Sequence, residues 1–228
     1  MSRRWRGGDA YRNSPVDVHA GQYEDARHTF HAHLQVLRRV CPEHEEAITS
    51  CRTNLANCAD VLGRYDELLA LRREMYAESE AKHGGADQRT IDAALDVASA
   101  LLRCDEPEDA QTFCRATLAK VKSGCPPRDA RIVTLTCALA QTLYDPAAER
   151  EYLMSDVQEA ETLLMEALQA SRQAFGSAHT QTVRVRKELD AVNAARRGDA
   201  VDGSHLERGP IVLNAPDDGD EKTIDSLD

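Results

Sequence analysis

The chain has 228 residues, 42% of them hydrophobic but only 4% aromatic, with a formal net charge of −11. It is long enough to bury a core, but its aromatics are too few for a surface that stacks nucleobases, and no basic cluster is present to grip phosphate backbones. No apolar run approaches the roughly 18 residues of a membrane span, and the basic start Met1-Ser2-Arg3-Arg4-Trp5-Arg6-Gly7-Gly8 has no apolar stretch behind it, unlike a secretory leader.

Residues 1–20 show no clean apolar period. Pro15 interrupts them, so an irregular segment is expected there. Gly21-Gln22-Tyr23-Glu24-Asp25-Ala26 opens a pattern that recurs 42 residues later as Gly63-Arg64-Tyr65-Asp66-Glu67-Leu68 and again as Asp105-Glu106-Pro107-Glu108-Asp109-Ala110. A fourth copy, Ser155 to Ala160, arrives after 50 residues, and the excess falls between Asp145 and Met154, where Asp145-Pro146 marks a turn. A second pattern runs in step. Leu55, Val97 and Leu139 stand 42 apart, as do Ala56, Ala98 and Ala140, and Ala59, Leu101 and Leu143.

Each unit reads as two helices. The first carries an apolar stripe and a small residue (Ala56, Ala98, Ala140) that lets a partner helix come close. A turn follows at Gly63 or its equivalents. The second helix starts with acidic residues, which suit a helix N-terminus, and continues with apolar spacing of three and four, as in Ala160, Leu163, Leu164, Ala167 and Leu168. Neither helix can bury its stripe alone, so neighbouring units must stack. On the 42-residue offset, Asn13, Ser14 and Asp17 occupy places held later by Leu and Ala. The first helix of the first unit is therefore absent, short or distorted, and the helix from Gln22 to about Val40 exposes an apolar edge. Thr180 to Arg197 reads as a terminal helix with a solvated outer face, stopped at Gly198. Residues 198–228 hold nine acidic residues against Arg208 and Lys222, which is −7 of the −11, and read as a disordered acidic tail.

Motifs for chemistry are missing. The twelve glycines form no dinucleotide or phosphate loop, and there is no GxSxG, HExxH or EF-hand pattern. In His28-Thr29-Phe30-His31-Ala32-His33, His31 and His33 point about 200° apart around a helix, so the three imidazoles do not converge on a metal. Cys51 and Cys58 lie two turns apart, about 10 Å along a helix, too far for a disulfide. The acid pairs Glu45-Glu46 and Glu106/Glu108 fall at turns and helix starts, where carboxylates belong on electrostatic grounds. Seven cysteines with no CxxC, mostly within apolar helical patterns, indicate buried free thiols and a reducing compartment. No catalytic residue, metal or cofactor is expected, and the expected location is cytoplasmic.

The paired-helix pattern resembles the tetratricopeptide repeat (TPR). Its 42-residue period, longer than the usual 34, is similar to that of the kinesin-light-chain subgroup, whose repeats are joined by a Leu-Gly-Pro-x-His-Pro-x-Thr-Leu-like linker. Phe175-Gly176-Ser177-Ala178-His179-Thr180-Gln181-Thr182-Val183 matches that linker, Val40-Cys41-Pro42-Glu43-His44 matches its first half, Lys82 to Ile91 is a looser copy, and Ser123 to Ala130 is degenerate. The resemblance covers roughly residues 20 to 197. It implies an all-α, right-handed superhelical solenoid of stacked antiparallel helix pairs over residues 21–197, with about 3.5–4 repeats and a terminal capping helix. It also implies a scaffold or adaptor that binds a peptide or protein segment on its concave face. The groove positions carried over are Thr53, Asn54 and Asn57 from the second repeat, Leu95, Ser99 and Arg103 from the third, Thr134, Cys137 and Gln141 from the fourth, and Arg184 and Lys187 from the terminal helix. The asparagines suit a peptide backbone. Arg103, Arg184 and Lys187 favour an acidic peptide. The alternative is a sensor region of a larger nucleotide-binding signalling protein, of which this chain would be a fragment.

Overall fold

The computed structural model describes residues 15–144 and 152–197, with side chains from residue 21 onward. Among these residues there are eight α-helices and no strand: α1 (Pro15–Val40), α2 (Glu45–Val61), α3 (Tyr65–His83), α4 (Gln88–Arg103), α5 (Pro107–Gly124), α6 (Ala130–Leu143), α7 (Met154–Phe175) and α8 (Thr180–Arg197). Each helix packs against the next, and α4 also meets α6. Even-numbered helices thus form one row of a solenoid, and odd-numbered helices form the other. The acidic tail and most of the expected insertion lie outside the described residues.

The turns inside each repeat repeat their geometry. Gly63 has φ +69° and Asp105, 42 residues on, has φ +60°. Both follow a helix end and allow the next amide to reach back, Arg64 N to Ala59 O at 2.8 Å and Glu106 N to Leu101 O at 3.0 Å. Gly21 belongs to the same sequence pattern, yet helix α1 runs straight through it from Pro15. The turn expected there does not form, and helical backbone reaches into the segment expected to be irregular. Residues 1–14, which cover most of the expected place of the first unit's first helix, lie outside the described residues.

The joints between repeats come in two kinds that alternate. Pro42 and Pro126 occupy the first and third joints, while the second and fourth hold Gly84 (φ +85°) and Gly176 (φ +88°) at the same register. The side chains bridging each joint follow suit. Leu37 and Ile48 pack in one apolar cluster, and Val121 and Ile132 in another. At the glycine joints the same places carry hydroxyls, Ser79 with Thr90 at 3.0 Å and Ser171 with Thr182 at 2.8 Å.

Even-row helices start on carboxylate caps where the sequence allows it. Asp87 accepts the Arg89 amide at 3.0 Å, and Asp129 accepts the Arg131 amide at 2.9 Å. The Arg131 guanidinium, 2.7 Å from the same oxygen, holds the Asp129 carboxyl below the usual range. Asp129→Ala should cost about 1 kcal/mol in urea unfolding near neutral pH. Because the native carboxyl titrates low, this contribution is present above the ordinary aspartate range and fades as pH falls through it. An unchanged unfolding midpoint would mean the cap adds nothing.

Ion pairs link successive helices of the odd row. Arg38 meets Glu74 (2.8 Å), Lys120 meets Glu80 (2.6 Å) and Arg115 meets Glu159 (2.6 Å), while Arg64 reaches Glu24.

The two ends of the solenoid differ. On α8, Arg186, Lys187, Asp190 and Asn193 replace the buried Thr136, Cys137, Ala140 and Leu143 of α6, so its outer side is polar as a terminal cap requires. At the other end Val36, Val40 and Val61 are exposed. One repeat later their places are taken by Glu78, Lys82 and Arg103, which pair with Arg52, Glu45 and Asp60 of α2. The exposed valines therefore face the space that an even-row helix before α2 would fill.

Candidate functional site

The even row presents one column of residues at a constant register. Asn57, Ser99 and Gln141 sit 42 residues apart on α2, α4 and α6. The first two are exposed and the third is half-buried. All three can donate or accept hydrogen bonds and none is charged. The parallel column Thr53, Leu95 and Cys137 behaves differently. Leu95 and Cys137 belong to the main apolar core, and Thr53 is half-buried. Leu95, expected on the groove, therefore serves packing. Burial, reinforced by the charge of Glu188, pushes the Cys137 thiol well above its ordinary range and leaves it a poor nucleophile.

The charged groove candidates are largely answered within the chain. Arg103 Nε lies 3.4 Å from Asp60, and Arg184 Nε donates to Glu188 Oε1 at 3.0 Å. Lys187 remains exposed. Asn54 is half-buried, and Thr134 is fully enclosed, accepting the Gln181 amide at 2.9 Å.

Two polar clusters emerge that sequence reasoning did not assemble. Between α2 and α4, Arg72 of α3 donates to Asp96 Oδ2 at 2.7 Å and to Asn57 Oδ1 at 3.4 Å. Between α6 and α8, Gln141 Nε2 and Arg184 Nε both donate to Oε1 of Glu188, which is only 7% exposed. Its other oxygen, Oε2, is buried and has no hydrogen-bond partner. Burial raises the carboxyl pKa of both Asp96 and Glu188, opposed in each case by the neighbouring arginine. The register held the signal: Asn54, Asp96, Ala138 and Glu188 occupy one equivalent place in four successive repeats.

A narrow cleft of about 10 Å³ opens between Thr134, Cys137, Gln181, Arg184 and Val185, with room for about one water. Among the described residues no three metal-ligating side chains converge. His28 and His31 are exposed, and His33 Nδ1 lies 3.5 Å from the Cys51 thiol. All seven cysteines are free. No described helix is long and apolar enough to cross a membrane.

No family model and no curated protein matches the sequence. Solved structures match the fold. The TPR-like repeats of a kinesin light chain from Podosopora anserina superpose with a TM-score of 0.57 at 14% identity, covering 80% of this chain and 83% of that one. BtubC (BKLC) from P. vanneervenii superposes with a TM-score of 0.55 at 16% identity, covering 81% and 72%. The chain is thus a TPR-like helical repeat solenoid, an architecture whose extended surface generally mediates protein interaction.

Proposed function

We propose that this chain is a non-catalytic interaction scaffold that takes an extended segment of a partner protein along the even row of helices, α2, α4, α6 and α8. The observation that carries this reading is the column Asn57, Ser99 and Gln141. One uncharged hydrogen-bonding side chain per repeat, at constant register, matches the periodic amides and carbonyls of an extended backbone and favours no particular sequence. An acidic preference, expected from Arg103, Arg184 and Lys187, now rests on Lys187, because the other two cations already have carboxylate partners. The seven free cysteines suit a reducing cytoplasm.

The test compares capture of proteins from source-cell lysate by the intact chain and by the Asn57→Ala/Ser99→Ala/Gln141→Ala variant, after circular dichroism has established that both are folded. At least about tenfold loss of a captured protein is expected. Undiminished capture would move the binding surface to the exposed Val36, Val40 and Val61 edge.

A further inference from the structure

We infer that the α6–α8 end of the even row selects a basic side chain of the bound segment, with Glu188 Oε2 as the atom that receives its N–H. This adds a specificity to the groove proposed above and rests on that reading.

The starting point is an imbalance within one carboxylate. Oε1 of Glu188 takes two donors, Gln141 Nε2 at 3.1 Å and Arg184 Nε at 3.0 Å, while the buried Oε2 takes none. A buried acceptor left without a donor is costly, and more so when it carries charge. The equivalent carboxylate two repeats earlier does not have this problem. Asp96 is met by Arg72, which reaches in from the odd row at 2.7 Å. In the last repeat the place of Arg72 is held by Leu164, buried in the core. The chain thus keeps the carboxylate and omits the odd-row cation that would complete it.

The surroundings fit a small donor. The small cleft that Arg184 lines is also bounded by Cys137, whose thiol feels the Glu188 charge, so the negative potential of the carboxylate reaches it. Its room for about one water admits a small donor and no carboxylate or aromatic ring. What covers Glu188 from the groove side is flexible polar side chain: Arg184 is substantially exposed and Gln141 is half-buried. A ligand carboxylate would meet Glu188 at close range and find Arg184 already paired. A ligand lysine would give Oε2 the donor it lacks once the exposed Arg184 side chain swings aside, with Gln141 still donating to Oε1. Its charge would also favour the ionised carboxylate, so binding should strengthen as pH rises through the titration of Glu188.

The test is selection of a random 12-residue phage-displayed peptide library on the full chain, followed by fluorescence anisotropy of the winning peptides. Expected winners carry a lysine or arginine whose replacement by norleucine weakens binding at least about tenfold. That comparison uses the unaltered protein and so does not depend on any variant folding. Glu188→Gln should weaken the basic peptide to a similar extent and leave the norleucine peptide unchanged. The gain in affinity as pH rises above the ordinary glutamate range should also disappear in the Glu188→Gln chain. Winners that are acidic, that lack any basic residue because water alone fills the gap, or that bind both chains equally would overturn the inference while leaving the groove intact. If the intact chain enriches no peptide, the groove reading falls and this inference with it.

Discussion

Thr182→Val is expected to lower the unfolding free energy by about 1–3 kcal/mol. Thr182 donates to the Gly176 carbonyl at 2.8 Å, which leaves its oxygen free to accept from Ser171, and both hydroxyl residues are fully buried. Valine keeps the shape and removes the acceptor. The Ser171 hydroxyl is then stranded in the core, while the Gly176 carbonyl, on an exposed residue, can turn to water. The double variant Ser171→Ala/Thr182→Val should recover most of the loss, since removing both partners leaves nothing unsatisfied. The apolar pair Val121 and Ile132 closes the preceding proline joint at the equivalent places without hydroxyls. Urea unfolding of the three chains decides the matter. If the double variant is no better than the single, the cost is packing rather than an orphaned hydrogen bond.

Ala98→Leu is expected to cost a further roughly 1–3 kcal/mol by overpacking. Ala56, Ala98 and Ala140 are all buried at one register of the even row. At Ala98 the added isopropyl group would enter the core that α4 shares with α5 and α6. The matching control is Asp190→Leu. Asp190 holds the same register on α8 but is exposed on the outer side of the cap, so its substitution should change stability by no more than about 0.5 kcal/mol. Equal effects at the two sites, read from thermal unfolding midpoints, would show that the repeat register is wrong.

The repeat itself was legible because stacking imposes the same burial on equivalent residues, so the 42-residue period appears directly in Leu55, Val97 and Leu139. Turn sites were legible only in part. Gly21 carries the same local signal as Gly63, but glycine merely permits a turn, and α1 runs through it as helix. Groove positions were read less sharply. Four residues are about 400° of helix rotation, so the columns at 53, 95 and 137 and at 57, 99 and 141 lie only about 40° apart, yet Leu95 and Cys137 of the first are buried and Asn57 and Ser99 of the second are exposed. Arg72 escaped notice because it comes from the odd row, at a place where Phe30, Cys114 and Leu164 are apolar. Glu188 escaped because α8 reads as a solvated cap, and only packing against Gln141 reveals that one of its faces is enclosed.

The alternation of proline and glycine joints has a consequence for how such a chain can be shortened or lengthened. The true building block is two hairpins, about 84 residues without the insertion, because only then does a joint meet its own kind. Excising one hairpin, α2 with α3, would set Leu37 against Thr90, an aliphatic surface against a hydroxyl. Excising two, α2 through α5, would set Leu37 against Ile132 and restore a matched pair. Length in this architecture is therefore quantised in pairs of repeats, a grammar that the 42-residue period alone conceals.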